Sequence, residues 1–186
     1  MTARQPPGSL LVVDACCWID LFATGGINEI VAALPYQIVA PRYVAEEEVL
    51  TTLSVTGLEE RCSFAQLQAK ALVSIWDVET EEEKQELVRF AAHLDDGEAS
   101  VCANAVVHGG AVATDDRKAI GTLRQLAPGI QIVQTPELLH SWADRAKIPG
   151  DRLRAVLHSV QTRARFTPRR DAPFSDWWAQ CLGSDE

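Results

Sequence analysis

The sequence lacks any apolar run approaching the ~20 residues that a membrane-spanning helix needs. It has five cysteines, an odd number, and none stands at zinc-ligand spacing. Cys16 and Cys17 are adjacent, which suits neither a metal clamp nor an ordinary disulfide. They read as reduced thiols in a cytoplasmic protein, with no membrane partner expected. Eleven glycines and nine prolines are too few for a collagen-like or low-complexity chain, and there is no internal repeat. Positive charge is also short, with 17 Lys plus Arg against 26 Asp plus Glu. Met1–Ser9 has one Arg and two Pro before an apolar run of only four or five residues, unlike a secretory signal.

What remains is a globular composition, 47% apolar and 23% charged over 186 residues. A chain of this size buries roughly 70% of its unfolded surface and needs no disulfide or structural metal. Residues 1–140 carry 9 basic and 20 acidic side chains, whereas 141–186 carry 8 and 6. An acidic body with a basic arm hints at a polyanion partner. A solvated helix face accounts for the same charges equally well.

Short apolar runs alternate with helical segments. Leu10–Val13, Gln37–Ala40, Leu72–Trp76, Ala111–Thr114 and Ile130–Val133 read as strands, the first buried on both faces. Helices are expected from Trp18 to Leu34 with a break at Gly25-Gly26, from Pro41 to about Leu53, and within Thr56–Lys70. Further helices fit Glu79–Leu94, Asp95–His108, Asp115–Leu126, a stretch with Thr135 as N-cap and Pro136 at its first position, and Asp151–Arg163. This alternation specifies a three-layer α/β/α sandwich with a central parallel sheet.

In such sheets ligands collect beyond the carboxyl ends of the strands. Asp14 ends the first strand, and Asp115 and Asp116 end Ala111–Thr114. A lone strand-end Asp is as often a helix N-cap. The helices sharpen the case. Glu98 is followed at i+3, i+4 and i+7 by Val101, Cys102 and Ala105, on one helical face. Asp116 leads Ala119, Ile120 and Leu123 in the same way. In the segment after Pro41, helical spacing puts Glu47 between Tyr43 and Leu50 on the inward stripe and puts Glu48 outside it. Buried carboxylates need partners, and basic residues are scarce nearby. Converging acids repel one another unless they take up protons or hold a divalent ion. An all-carboxylate set suits Mg²⁺ or Mn²⁺ and not Zn²⁺. A metal-bound water is a ready nucleophile for phosphodiester hydrolysis.

Leu11-Val12-Val13-Asp14-Ala15, Pro41-x-x-Val44-x-x-Glu47, Asp96-Gly97-Glu98-Ala99 and Ala113-Thr114-Asp115-Asp116 together resemble the ordered acidic motifs of PIN-domain proteins. The resemblance implies a PIN-like nuclease domain over 1–140, with 141–186 a basic and aromatic helical extension packed on it. It implies a Mg²⁺- or Mn²⁺-dependent ribonuclease that cuts single-stranded RNA. Asp14, Glu47, Glu98 and Asp116 would be catalytic metal-binding acids, with Asp115 a fifth ligand. Many small bacterial members are toxins of toxin–antitoxin pairs, so an antitoxin protein and a homodimer are implied partners. Where many members have Asn or Ser two residues after the first acid, this chain has Cys16; where the third acid is often Asp, it has Glu98. The ending Arg163–Arg170 with Trp177-Trp178 is similar to one bacterial subgroup of the family. A non-catalytic binding module on the same fold is the rival reading. An aspartyl phosphohydrolase is a poorer one, because its second acid would stand where Cys16 is.

Other residues are weighed against plainer roles. Asp20 is expected at the surface or as a cap. Thr114 is either a hydrogen-bonding group of the site or a β-branched strand residue. The four histidines show no shared spacing with cysteine and are given no chemistry. Phe166, Phe174, Trp177 and Trp178 either stack on bases or pin the tail. The arginines of the arm either track phosphates or reach the acidic pocket as a clamp.

Overall fold

Leu11, Val12 and Val13 are all buried, so the first strand is covered on both faces and takes the middle of a parallel sheet. The computed structural model describes residues 9–183; apart from Ser9, the N-terminal stretch weighed as a secretory signal lies outside them. In chain order the elements begin β1 (Ser9–Val13), α1 (Ala15–Ala23), α2 (Ile27–Ala33), β2 (Tyr36–Pro41), a wide helical turn (Tyr43–Glu47), β3 (Thr51–Leu53), β4 (Glu59–Arg61) and α3 (Ala65–Ala69). They continue β5 (Ser74–Trp76), α4 (Glu81–Ala91), α5 (Asp96–Val107), β6 (Ala111–Ala113), α6 (Arg117–Leu126), β7 (Ile132–Val133), α7 (Thr135–Ala146), α8 (Gly150–Arg163) and α9 (Ser175–Leu182). The central five-stranded sheet is wholly parallel and flanked by helices, the three-layer α/β/α class that the alternation predicts. No single described helix is long and apolar enough to cross a membrane.

Two compact units can be distinguished. The first holds residues up to 16, 35–48 and 63–133, and with them the sheet. Its strand order is β5-β2-β1-β6-β7. The chain winds one way from β1 through β2 to β5 and the other way through β6 to β7, so the switch point lies between β1 and β6. Helix α5 packs on β1, β2 and β6, and α4 packs on α5. The starts of α4, α5 and α6 are capped by their own sequence. Thr80 and Glu83 close a capping box on α4, Asp95 caps α5, and Asp116 caps α6.

The segment after Pro41 departs from the expected helix. Pro41 is the last residue of β2, and a single turn closes by an i→i+5 bond from the Glu48 N–H to the Tyr43 carbonyl, 3.1 Å. The chain then leaves as a hairpin of β3 and β4, where periodicity predicts helix up to about Leu53, and the helix predicted within Thr56–Lys70 is α3. Gly57, at φ +81°, makes the hairpin's turn possible.

The second unit holds 17–34, 49–62 and the residues from 134 on. Here Gln134, and not Thr135, caps α7. Thr135 is taken up by Asp20, which is 3% exposed, and donates to it at 3.0 Å. Asp20 is therefore neither a surface group nor a cap, since a buried carboxylate requires donors. Many cations of the arm bind the protein itself. Arg145 donates to the Ala33 carbonyl and Arg154 to that of Cys181. Arg152 pairs with Glu29 and lies over the Trp142 ring. The tail aromatics pack together, Phe166 against the buried Trp178, and Phe174 and Trp177 against His140.

Arg163 is the strongest of these ties. Its guanidinium donates to the carbonyls of Leu53 at 2.6 Å and Ala23 at 3.2 Å, and to Glu60 at 3.1 Å. It thereby holds the hairpin against α1 and α8. Arg163→Ala is expected to destabilise the protein by roughly 2–4 kcal/mol, because carbonyls lose a charged donor that water replaces poorly. Urea denaturation of the variant measures the loss.

Candidate functional site

The switch point is flanked by Asp14 after β1 and by Thr114, Asp115 and Asp116 after β6. Ligands gather at this place in open parallel sheets. Asp14 is 4% exposed. The Ala15 N–H donates to its Oδ1 at 2.8 Å, while the Thr114 hydroxyl at 2.8 Å and the Cys16 thiol at 3.3 Å donate to Oδ2. Thr114 in turn accepts from the Asp116 N–H at 3.1 Å, and the Cys16 sulfur accepts from the Asp115 N–H at 3.3 Å. These bonds lock the ends of β1 and β6 together. Burial pushes the Asp14 carboxyl above its ordinary range, although the donors oppose the shift.

Helix α5 brings Glu98 to the same place. Burial, then the charges of Asp95, Asp116 and Asp14, push its carboxyl up to about 7. The buried Cys102 lies one turn on, and burial together with Asp14 and Glu98 raises its thiol. Asp116 caps α6 through Oδ1, accepting from Lys118 N–H at 2.7 Å and Ala119 N–H at 2.9 Å. It is both a cap and a charge at the site. Asp115 is half-buried beside it.

Glu47, which helical spacing turns inward, is exposed. Glu48 takes the inward place. The i→i+5 turn holds one residue more than an α-helical turn, so the residue facing the sheet moves along by one. Burial and the charges of Asp14, Asp95 and Glu98 push the Glu48 carboxyl up to about 7. Its Oε1 lies so close to α5 that a Cβ at Gly97 would stand 2.0 Å from it. Glu48 and Asp95 are thus acids of the cluster that the periodicity did not pick out. Gly97 was the available signal, since a glycine in a first helical turn marks a close approach.

Among the described residues of this unit, none of Asp14, Glu48, Asp95, Glu98 or Asp116 is ion-paired. Arg42, the cation nearest Glu48 in sequence, is engaged by Glu46 and Asp77, and Arg117 and Lys118, which follow Asp116, are exposed and form no ion pair with these acids among the described residues. No three His, Cys, Asp or Glu side chains among the described residues are gathered into a ready-made metal cage. The donor chemistry nevertheless fits a hard divalent cation. The charged groups there are carboxylates without ion-pair partners among the described residues of the unit, and Mg²⁺ is commonly held by one or two carboxylates with water completing its shell.

A parallel sheet with acids gathered at its switch point defines an open α/β protein with a candidate ligand site beyond its strand ends. The chain belongs to the PIN-domain family, whose model matches residues 10–170 and so extends beyond α8. PIN domains are generally nucleases that bind nucleic acid and usually use divalent metals. No curated protein matches the sequence.

Two tests probe the crowding itself. Gly97→Ala is expected to stay within ~1 kcal/mol of wild-type stability, because alanine favours the helix and only a flexible carboxylate must move. The displaced Glu48 then titrates well below 7, read by carboxyl-carbon NMR. In chelator, the melting temperature should fall as pH rises from 4.5 through 7. Two carboxyls raised to about 7 keep protons in the folded state that the unfolded chain has already released. A flat profile over that window would contradict the crowding.

Proposed function

We propose that this chain is a metal-dependent endoribonuclease that hydrolyses phosphodiester bonds of single-stranded RNA. The observation that carries this reading is the set of crowded carboxylates at the switch point, which among the described residues of their unit have no ion-pair partner. Asp14, Glu98 and Asp116, with Asp115 beside them, would hold Mg²⁺ or Mn²⁺, and Glu48 takes the part that the sequence motif gave to Glu47. When bound, the ion supplies an activated water and stabilises charge on the phosphate. The chain's own residues hold the site open and oriented. Thr114 and Cys16 fix the Asp14 rotamer, Asp95 fixes the start of α5 and so the position of Glu98, and Gly97 leaves room for Glu48. Such fixed geometry is what in-line attack requires.

Wild-type protein is expected to cleave a labelled single-stranded RNA in Mn²⁺, with Asp14→Asn and Asp116→Asn inactive while their circular dichroism is unchanged. Glu48→Gln should lose at least ~100-fold and Glu47→Gln far less. Equal cleavage by wild type and all variants would refute the assignment. A toxin of a toxin–antitoxin pair is the setting this activity fits, and Asp14→Asn should then relieve growth arrest on expression.

One observation favours the non-catalytic alternative. Both oxygens of Asp14 already accept protein donors, Ala15 on one and Thr114 with Cys16 on the other. A site so satisfied suits a binding module that has lost turnover. Calorimetry separates the two readings, since the binding module gives no Asp14-dependent Mn²⁺ heat.

A further inference from the structure

β5 ends in Trp76, and a cavity of about 300 Å³ opens beside it within the sheet-bearing unit. Arg42, Trp76, Asp77, Glu79, Glu83 and His108 line it. One wall is built rigidly. Glu83 is 4% exposed, and its Oε2 accepts from the Glu79 N–H, the Thr80 N–H and the Thr80 hydroxyl at 2.7–2.9 Å. Its Oε1 lies 2.8 Å from His108 Nε2. The His108 ring then packs edge-on against Trp76, centroids 4.8 Å apart at 67°. A buried carboxylate thus orients an imidazole, and the imidazole steadies an indole.

The charges select the occupant. A phosphate would face the carboxylates of Asp77, Glu79 and Glu83. An ammonium or guanidinium would find Asp77 already held by Arg42 and Glu83 by His108, with Glu79 alone left to meet it. A purely apolar group would strip water from both signs of charge. A neutral planar ring with donors on one edge and acceptors on another meets all the walls, which is the chemistry of a nucleobase stacked on an aromatic side chain. Arg42 spends Nε on Asp77 and Nη1 on Glu46, at 2.9 and 2.7 Å. Its remaining amino group suits a purine O6 or N7. The Glu79 carboxylate is exposed, and no described residue bonds it, so it can accept from a ring N–H and an exocyclic amine.

We propose that this cavity binds a guanine base of single-stranded RNA, with Trp76 as stacking platform, Arg42 reading O6 and Glu79 reading N1–H and the 2-amino group. The source of the base rests on the ribonuclease reading; the recognition does not. Arg42 and Glu48 stand at the two ends of one helical turn, so the pocket wall and the acidic cluster share a single short piece of backbone.

The test uses the full chain carrying Asp14→Asn, which keeps RNA intact, and labelled octamers differing only in one central G, A, C or U. Fluorescence anisotropy should show the G octamer bound about tenfold more tightly than the others. Glu79→Gln, an exposed substitution, should erase that preference. Trp76→Ala should weaken the G octamer about tenfold, and Trp76→Phe should restore most of the affinity, which separates stacking from a folding defect. Equal affinity for the four octamers, or a preference untouched by Glu79→Gln, overturns the proposal. Guanosine monophosphate that competes as strongly as the whole octamer overturns RNA as the source. Wild-type cleavage in Mn²⁺ is scored separately. Cleavage without guanine preference sinks only the pocket, and guanine binding without cleavage sinks only the nuclease.

Discussion

Repulsion between like charges organises the sheet-bearing unit. Burial raises the proton affinity of Asp14, Glu48 and Glu98, neighbouring carboxylates raise it further at each, and no ion pair among the described residues of that unit relieves them. The surrounding structure holds them against this force. Thr114 ties Asp14 to the neighbouring strand, Asp95 anchors the first turn of α5 below Glu98, and the missing side chain at Gly97 admits the Glu48 carboxylate. Such an arrangement costs stability in the empty state. It is compensated when protons or a cation enter, and this links the electrostatics of the site to its chemistry.

Caps carry part of that arrangement. Asp95 and Asp116 each give one carboxylate oxygen to backbone N–H groups at a helix start. The same charges act on Glu98. A cap and a site residue are therefore not alternatives here. The helix start needs an acceptor, and the pocket inherits its negative charge. In the second unit the balance runs the other way. Arg145, Arg154 and Arg163 give their donors to backbone carbonyls, so a good part of the basic arm is internal scaffolding.

The legible parts were those with strong local signals. Leu11–Val13 and Ala111–Ala113 announced buried parallel strands because every residue in them is apolar. Glu98 and Asp116 were legible because an α-helix fixes which residues share a face. Glu48 was not, since the segment Tyr43–Glu47 closes by i→i+5 and moves the inward face by one residue. The hairpin of β3 and β4 was equally hidden. Its strands are three residues long, and its place is held by Arg163, more than a hundred positions away.

The sequence by itself determined the alternation of strands and helices, the acids at the ends of β1 and β6, and the inward placement of Glu98, because each follows from periodicity and nearest-neighbour chemistry. Tertiary structure alone decided which of two adjacent glutamates faces the site, that Thr135 serves Asp20 and not its own helix, and that Trp76, His108 and Arg42 share one cavity. Those outcomes depend on backbone closure and on partners remote in the chain, and no local pattern encodes either.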